Sequence, residues 1–317
     1  MRVQIVTPEI RGVRTGNFSS AEQWRSVLEE LGHDVTISPH LDGEPPDWLI
    51  GLHAIKSAGV LMDCRRRFPD TKLALVMTGT DIYPEPGPEA LASMRLADRL
   101  VGLQPKVAEQ LPEELRSKLR VIVQASAPGE MVGSKTLDPF DVCVVGHMRA
   151  VKDPMLCAQA ARLLPTGSKI RIRHAGAILD PAYAAVVVRE QRENPRYEWL
   201  GQLDASAVRD LISNSQLLVL TSISEGAGRV VGSAIVKGTP VLSTRIHGVM
   251  GLVGDDYPGL FPVGDAEALA RLLSRSEREP QFRDELASAC AARASLFDPQ
   301  CELAGWRNLI EEPVTRC

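Results

Sequence analysis

Short runs rich in β-branched residues alternate along the chain with stretches whose apolar positions recur at helical spacing, which predicts parallel sheets with crossover helices. In the first half the runs predict strands at Arg2–Thr7, Asp34–Ser38, Trp48–His53, Lys72–Met77, Arg99–Leu103 and Arg120–Val123. Helices fit between them. The clearest is Ser19–Leu31, with Ala21, Trp24, Val27, Leu28 and Leu31 on one face, Ser19 or Ser20 as its cap and Gly32 as its stop. In the second half strands are expected at Asp141–Val145, Lys169–His174, Tyr197–Leu200, Gln216–Thr221, Pro240–Ser243 and Leu260–Pro262. Helices are expected near 153–163, 181–193, 204–213, 228–237, 265–275 and 280–295, and a last one at about 299–311 follows Asp298-Pro299.

Between 124 and 138 the pattern lapses into small residues and turn formers, Gln124-Ala125-Ser126-Ala127-Pro128-Gly129, and a domain boundary is expected there. The chain thus reads as α/β, two doubly wound Rossmann-like halves. Such sheets bind ligands outside the carboxyl ends of their strands, and two of them facing each other make a central cleft. A length of 317 residues suits two domains. Hydrophobic residues at 44% and charged residues at 24% are ordinary for a globular protein, which excludes fibrous and disordered readings. A net charge of −4 with scattered basic residues argues against a nucleic-acid partner. Arg65-Arg66-Arg67 reads as a solvated helix face. No apolar run reaches the roughly 20 residues of a membrane span, and no signal peptide is seen, so a cytoplasmic location without membrane partners is expected. The six cysteines (64, 143, 157, 290, 301 and 317) show no paired spacing and read as free thiols.

Candidate chemistry lies after the strands. The Pro8–Phe18 loop carries Gly12, Gly16 and Asn17 into a helix start, which suits a phosphate cradle or a tight turn. His53 ends the third strand, with Lys56 beyond it. Thr78-Gly79-Thr80-Asp81 ends the fourth and offers hydroxyls and a carboxylate to a sugar, or simply caps a turn. In the second half Gly146-His147-Met148-Arg149-Ala150-Val151-Lys152 follows a strong strand. Arg149 and Lys152 are read as opening the next helix, where a fork and a point charge suit a diphosphate. The strongest feature is Thr221-Ser222-Ile223-Ser224-Glu225-Gly226-Ala227-Gly228-Arg229 between a buried strand and a helix. Glu225 is placed there to accept from ligand hydroxyls, and the glycines are read as letting the ligand approach the backbone.

Several classes are disfavoured. Gly226-x-Gly228-x-x-x-Gly232 misses the dinucleotide fingerprint by one residue, and Arg245 and His247 stand where its acidic residue belongs. There is no Walker loop, no Asp-x-Asp, no Gly-x-Ser-x-Gly and no metal-ligand spacing, so no metal is expected.

Two such halves, with Gly146…Lys152 opening the second and Ser224-Glu225-Gly226 followed by a helix and Gly238-Thr239-Pro240-Val241, resemble the GT-B glycosyltransferases of the retaining group 4 class. That resemblance implies an N-terminal acceptor-side domain, 1–134 plus 297–317, to which the last helix crosses back. It implies a C-terminal domain, 135–296, that binds a nucleotide sugar. A closer resemblance, to the selenosugar synthases of selenoneine biosynthesis, rests on Leu52-His53-Ala54, Thr78-Gly79-Thr80-Asp81 and Leu103-Gln104-Pro105. It extends to Val145–Pro154, Asp256-Tyr257-Pro258-Gly259 and Phe261-Pro262-Val263-Gly264-Asp265. It implies transfer of a sugar from UDP-N-acetylglucosamine or UDP-glucose to selenophosphate, with loss of UDP and phosphate. It needs no cofactor beyond these substrates, and it suggests a pathway link to an enzyme that makes selenophosphate.

The resemblance carries Lys152 and Glu225 over by position, and with Arg149 and His53, read from their places after the strands, they are expected to carry the chemistry. Gly16, Asn17, Gly146, His147, Leu200, Gly201, Gly226, Ala227, Gly228 and Ser233 would bind the donor. Arg14, Lys56, Thr80 and Asp81 would bind the acceptor. Two positions depart from the class. Ser233 stands where a second glutamate usually holds the ribose, and His147 stands where an arginine usually follows the loop glycine. A conventional transferase with a thiol or alcohol acceptor, and a non-catalytic nucleotide-sugar-binding protein, share the same donor features.

Overall fold

The computed structural model describes residues 1–8, 15–126 and 137–314. The chain divides into two compact units. One is Met1–Ala125 with Glu225–Arg229 and Leu296–Cys317; the other is Ser126–Ser224 with Val230–Ser295.

The first unit contains β1 (Arg2–Val6), α1 (Gly16–Glu30), β2 (Asp34–Ser38), β3 (Trp48–Leu52), α2 (Ala58–Arg67), β4 (Lys72–Val76), α3 (Pro88–Leu96), β5 (Arg99–Gly102), α4 (Glu113–Arg116) and β6 (Leu119–Val121). Its six strands form one sheet in the order β2-β1-β3-β4-β5-β6, paired in parallel throughout. The second unit contains β7 (Phe140–Val145), α5 (Leu156–Arg162), β8 (Ile170–Ala175), α6 (Ala182–Glu193), β9 (Tyr197–Gly201), α7 (Ala205–Asn214), β10 (Leu217–Leu220), all but the first residue of α8 (Arg229–Val236), β11 (Val241–Thr244), α9 (His247–Val253), β12 (Leu260–Phe261), α10 (Ala266–Arg278) and α11 (Pro280–Ala291). Its sheet runs β12-β11-β10-β7-β8-β9, again all parallel. The strand order reverses between β1 and β3 in the first sheet and between β7 and β10 in the second. Those reversals open the crevices in which such sheets hold ligands.

The chain closes with α12 (Pro299–Glu311), which returns to the first unit. Pro299 and Pro313 bracket it, and Asp298 caps it through Gln300 N. Trp306 meets Trp24 of α1 with ring centroids 5.3 Å apart, both side chains fully buried. Glu302 is buried beside them, and its carboxylate accepts from Trp24 Nε1 at 3.0 Å, Gln23 Nε2 at 2.7 Å and Ala125 N at 3.1 Å. Burial pushes its pKa up against those bonds.

Three local expectations are corrected. The first helix starts at Gly16, not Ser19, because Thr15 is its cap and accepts from Phe18 N. Gly16 and Asn17 therefore lie in its first turn. Helix α9 falls in a stretch for which no helix is expected. The arginine run is not a uniformly solvated face. Arg66 and Arg67 pair with Asp63, whereas Arg65 reaches Asp98 at 2.9 Å and the carbonyls of Pro69, Thr71 and Leu96, tying α2 to the loops beside it. No helix among the described residues is long and apolar enough to cross a membrane.

Candidate active site

In the second unit the loops after β7 and β10 flank the strand-order reversal. Arg149 and Lys152 do not open a helix. Arg149 precedes a single 3-10 turn, Ala150–Lys152, which Asp153 ends in the left-handed region at φ 40°, and α5 begins only at Leu156. Arg149 is exposed and Lys152 half-buried. The turn is sewn to the loop after β10, since Thr221 Oγ1 donates to Lys152 O at 2.9 Å and Ile223 N to Val151 O at 2.9 Å. A small cavity of about 10 Å³ lies beneath, lined by Gly146, Lys152, His174, Thr221 and Ser222 among others. That is room for about one water.

Gly146 itself is clamped. Its N–H donates to Ala175 O at 2.9 Å, and its carbonyl accepts from the fully buried His174 at 3.0 Å. A Cβ on Gly176 would collide with that carbonyl oxygen. His147 Nδ1 accepts from Ala177 N at 3.1 Å, so this ring also fixes the loop. His174, Tyr197 and Gly176 are site-building residues that sequence reasoning missed. His174 falls on the buried side of an alternating strand, Ile170, Ile172, His174, and nothing local distinguishes it from a core position.

Leu200 and Gly201 are the last two residues of β9. Gly201 has φ 69° and accepts from Gly176 N at 2.8 Å. Leu200 lines a cavity of about 280 Å³ with Arg173, Leu203 and residues of α7. Ser233 lies half-buried in α8, one turn past Arg229.

Glu225, Gly226, Ala227 and Gly228 group with the first unit. The reason is a close backbone approach. A Cβ on Gly226 would lie 2.7 Å from Thr78 C and O, and one on Gly79, where φ is 126°, would lie 2.6 Å from Gly226 N. Gly226 thus admits the Thr78–Gly79 backbone, a requirement for glycine that is independent of any ligand. Gly228 takes φ 51° just before α8. Arg229 follows, its guanidinium donating to Gln23 Oε1 at 3.0 Å and more weakly to Ser20 Oγ at 3.4 Å. Burial lowers its pKa, and Glu302 and Glu22 oppose that shift.

In the first unit His53 leaves β3 with φ 75° and is 6% exposed. Its Nε2 meets Thr80 Oγ1 at 3.0 Å, and its Nδ1 accepts from Ile55 N at 3.3 Å and Lys56 N at 3.4 Å. Acceptance at Nδ1 puts the ring proton on Nε2. Burial lowers its pKa, partly offset by Asp81. Asp81 is not disposed as an acceptor ligand. It is buried, with Oδ1 taking Thr78 N at 2.9 Å and Gly79 N at 2.8 Å and Oδ2 taking Ala54 N at 2.7 Å, so it builds the loop. Thr80 and Lys56 are exposed beside it. Arg14 and Gly12 lie outside the described residues. Among the described residues no group of three or more His, Cys, Asp or Glu side chains is placed to hold a metal ion.

The sequence model of the family described as "Glycosyl transferases group 1" matches residues 132–293. A D-inositol 3-phosphate glycosyltransferase of Streptosporangium roseum is 26% identical over 254 residues, covering 71% of this chain and 58% of that protein. The lipopolysaccharide core biosynthesis glycosyltransferase LpsE of Rhizobium meliloti is 25% identical over 242 residues, covering 70% of each chain. Among solved structures, sucrose-phosphate synthase from Thermosynechococcus elongatus superposes with a TM-score of 0.76 at 16% identity, over 97% of this chain and 98% of that one. Anabaena HepE in complex with UDP and glucose gives 0.74 at 15% identity, over 98% and 99%. With its two parallel-sheet Rossmann-like units and a family match over more than half its length, the chain belongs to the group 1 glycosyl transferases.

Proposed function

We propose that this protein is a glycosyltransferase that uses a UDP-sugar donor and delivers the sugar to selenophosphate. The observation that carries the donor half is the turn Gly146–Lys152, sewn to the loop after β10 at the strand-order reversal of the second sheet. The leaving diphosphate gains negative charge as the C1–oxygen bond breaks. Lys152, with the exposed guanidinium of Arg149 nearby in the chain, is assigned to that charge. Glu225 accepts from the sugar hydroxyls, and Ser233 takes the ribose in place of the usual glutamate. The UDP complex of the similar HepE supports this choice of donor.

The selenophosphate acceptor rests on the resemblance of Leu52–Ala54, Thr78–Asp81 and Val145–Pro154 to selenosugar synthases. Selenium attacks C1 as the bond to UDP breaks, giving a sugar selenophosphate. Water then cleaves the Se–P bond and releases phosphate. The selenium nucleophile is already anionic, so this half-reaction needs no strong general base. That agrees with a His53 whose two nitrogens are both engaged. Lys56 and Thr80 are assigned to the phosphate end of the acceptor by charge-assisted bonds.

The test is mass spectrometry of protein, UDP-N-acetylglucosamine and fresh selenophosphate, with UDP-glucose in parallel. A selenium isotope pattern on the sugar with UDP released is the expected result. UDP release only with thiols or alcohols overturns the acceptor. No UDP-sugar binding overturns the donor. Glu225→Ala is expected to cut turnover by about a hundredfold or more, and near-native turnover sinks its assignment.

A further inference from the structure

Two hydrogen bonds converge on a ring that the proposed reaction does not touch. His174 is fully buried; one nitrogen meets Gly146 O at 3.0 Å and the other Tyr197 OH at 3.1 Å. A carbonyl only accepts, so Nε2 carries the proton and Nδ1 receives the tyrosine hydroxyl. The tautomer is thereby fixed, and the chain of donors runs from Tyr197 on β9 through His174 on β8 to the end of β7. Tyr197 is itself buried, and its ring stands edge-on to His174 at 6.0 Å between centroids.

The accepting carbonyl belongs to the glycine that opens the turn carrying Lys152. The Lys152 side chain runs past Gly146, its Cδ and Cγ lying 3.8 and 3.9 Å from where a Cβ on that glycine would be. A Cβ on Gly176 would collide with the same oxygen, so the glycine there leaves it room. Because a trans peptide is planar, holding the Gly146 oxygen inward fixes the plane of the Gly146–His147 peptide. It also fixes the surface along which Lys152 lies.

We propose that His174, oriented by Tyr197, is a positioning residue for the donor-diphosphate loop, setting the Gly146 peptide and through it the seat of Lys152. The proposal rests on the donor reading above and deepens it. A ring that only filled core volume would be replaceable by an apolar side chain of similar size. A ring that holds the carbonyl must be replaced by another N–H at the same reach. Glutamine places its amide nitrogen near the position of imidazole Nε2, whereas asparagine falls short of it.

The experiment is calorimetric titration with UDP, alongside thermal melts, on the native protein and on His174→Gln, His174→Asn and His174→Leu. The native protein binds UDP, and the Gln variant stays within about threefold of it. The Asn and Leu variants bind at least about tenfold more weakly, a factor of ten being about 1.4 kcal/mol, while melting as folded proteins. A Leu variant that binds UDP like the native protein overturns the inference, as does an Asn variant equal to the Gln variant. If the Leu variant does not fold, the Gln–Asn pair decides by itself. A native protein that fails to bind UDP overturns the donor reading, and this inference with it. Failure of the donor reading is thus distinguishable from failure of the relay alone.

Discussion

His53 and His174 are both buried, both neutral by environment and both at the upper end of a parallel strand, yet only one was visible in the sequence. His53 leaves its strand, takes a positive φ and spends Nδ1 on two N–H groups of its own turn. His174 stays in the ladder and spends both nitrogens on residues far away in the chain, Gly146 and Tyr197. The first serves a loop that satisfies itself, with Asp81 taking three backbone N–H groups. The second serves a loop that carries two cations, Arg149 exposed and Lys152 half-buried. A histidine's place in the sequence reveals its neighbours along the strand. Its partners decide what it does.

The sharpest way to break this contrast is at Asp81. Replacing it by Ala orphans three N–H donors at once, two of them buried, and buried orphans cost about 1–3 kcal/mol each, with incomplete additivity. Asp81→Ala is expected to lower stability in urea by about 3–5 kcal/mol. A loss under about 1 kcal/mol would mean that the Thr78–Asp81 loop does not depend on its own carboxylate.

Acid sharpens the same contrast at His174. Burial depresses its pKa from 6.5 to about 4, with the Gly146 bond acting in the opposite direction. The unfolded chain therefore binds a proton that the folded one refuses between those values. Stability is full above about pH 6.5, falls as the pH drops through that window, and levels off below about 4. At about 1.4 kcal/mol per pKa unit the loss is roughly 3 kcal/mol. His53 shifts in the same direction and adds to the slope. Denaturation midpoints measured from pH 7 to pH 4 should fall less steeply in His174→Gln than in the native protein. An unchanged slope would place the titration elsewhere.

These contrasts mark what the sequence could and could not tell. Strands and long helices were legible because burial of a period-2 or period-3.6 face leaves a local signature, and α12 appears at the residues expected of it. Helix α9 was not, since its seven residues include two glycines and carry too little periodicity. The cap at Thr15 was hidden by two serines that fit the pattern equally well. Glu225 and Lys152 were legible as polar residues at strand ends. Gly226 was legible as a needed glycine but without the close backbone approach, because Thr78 and Gly79 lie far earlier in the chain. Gly176 and His174 matter only through an oxygen of Gly146, a relation that only the folded β7–β8 pairing creates.

The smallest expected effects separate the two cations of the donor loop. Lys152 is half-buried along Gly146, whereas Arg149 is exposed ahead of the 3-10 turn. A partly desolvated charge is screened less than one in open solvent. Lys152→Ala is expected to weaken UDP binding about tenfold or more, and Arg149→Ala only about two- to fivefold, the range of an exposed pair. Both should leave stability within about 0.5 kcal/mol, since neither side chain lies in the buried core. Raising the salt from 50 to 500 mM should erase most of the Arg149 effect and spare most of the Lys152 effect. If the two variants lose affinity equally and respond equally to salt, the seat beside Gly146 confers nothing on Lys152. The loop would then bind its anion by net charge alone.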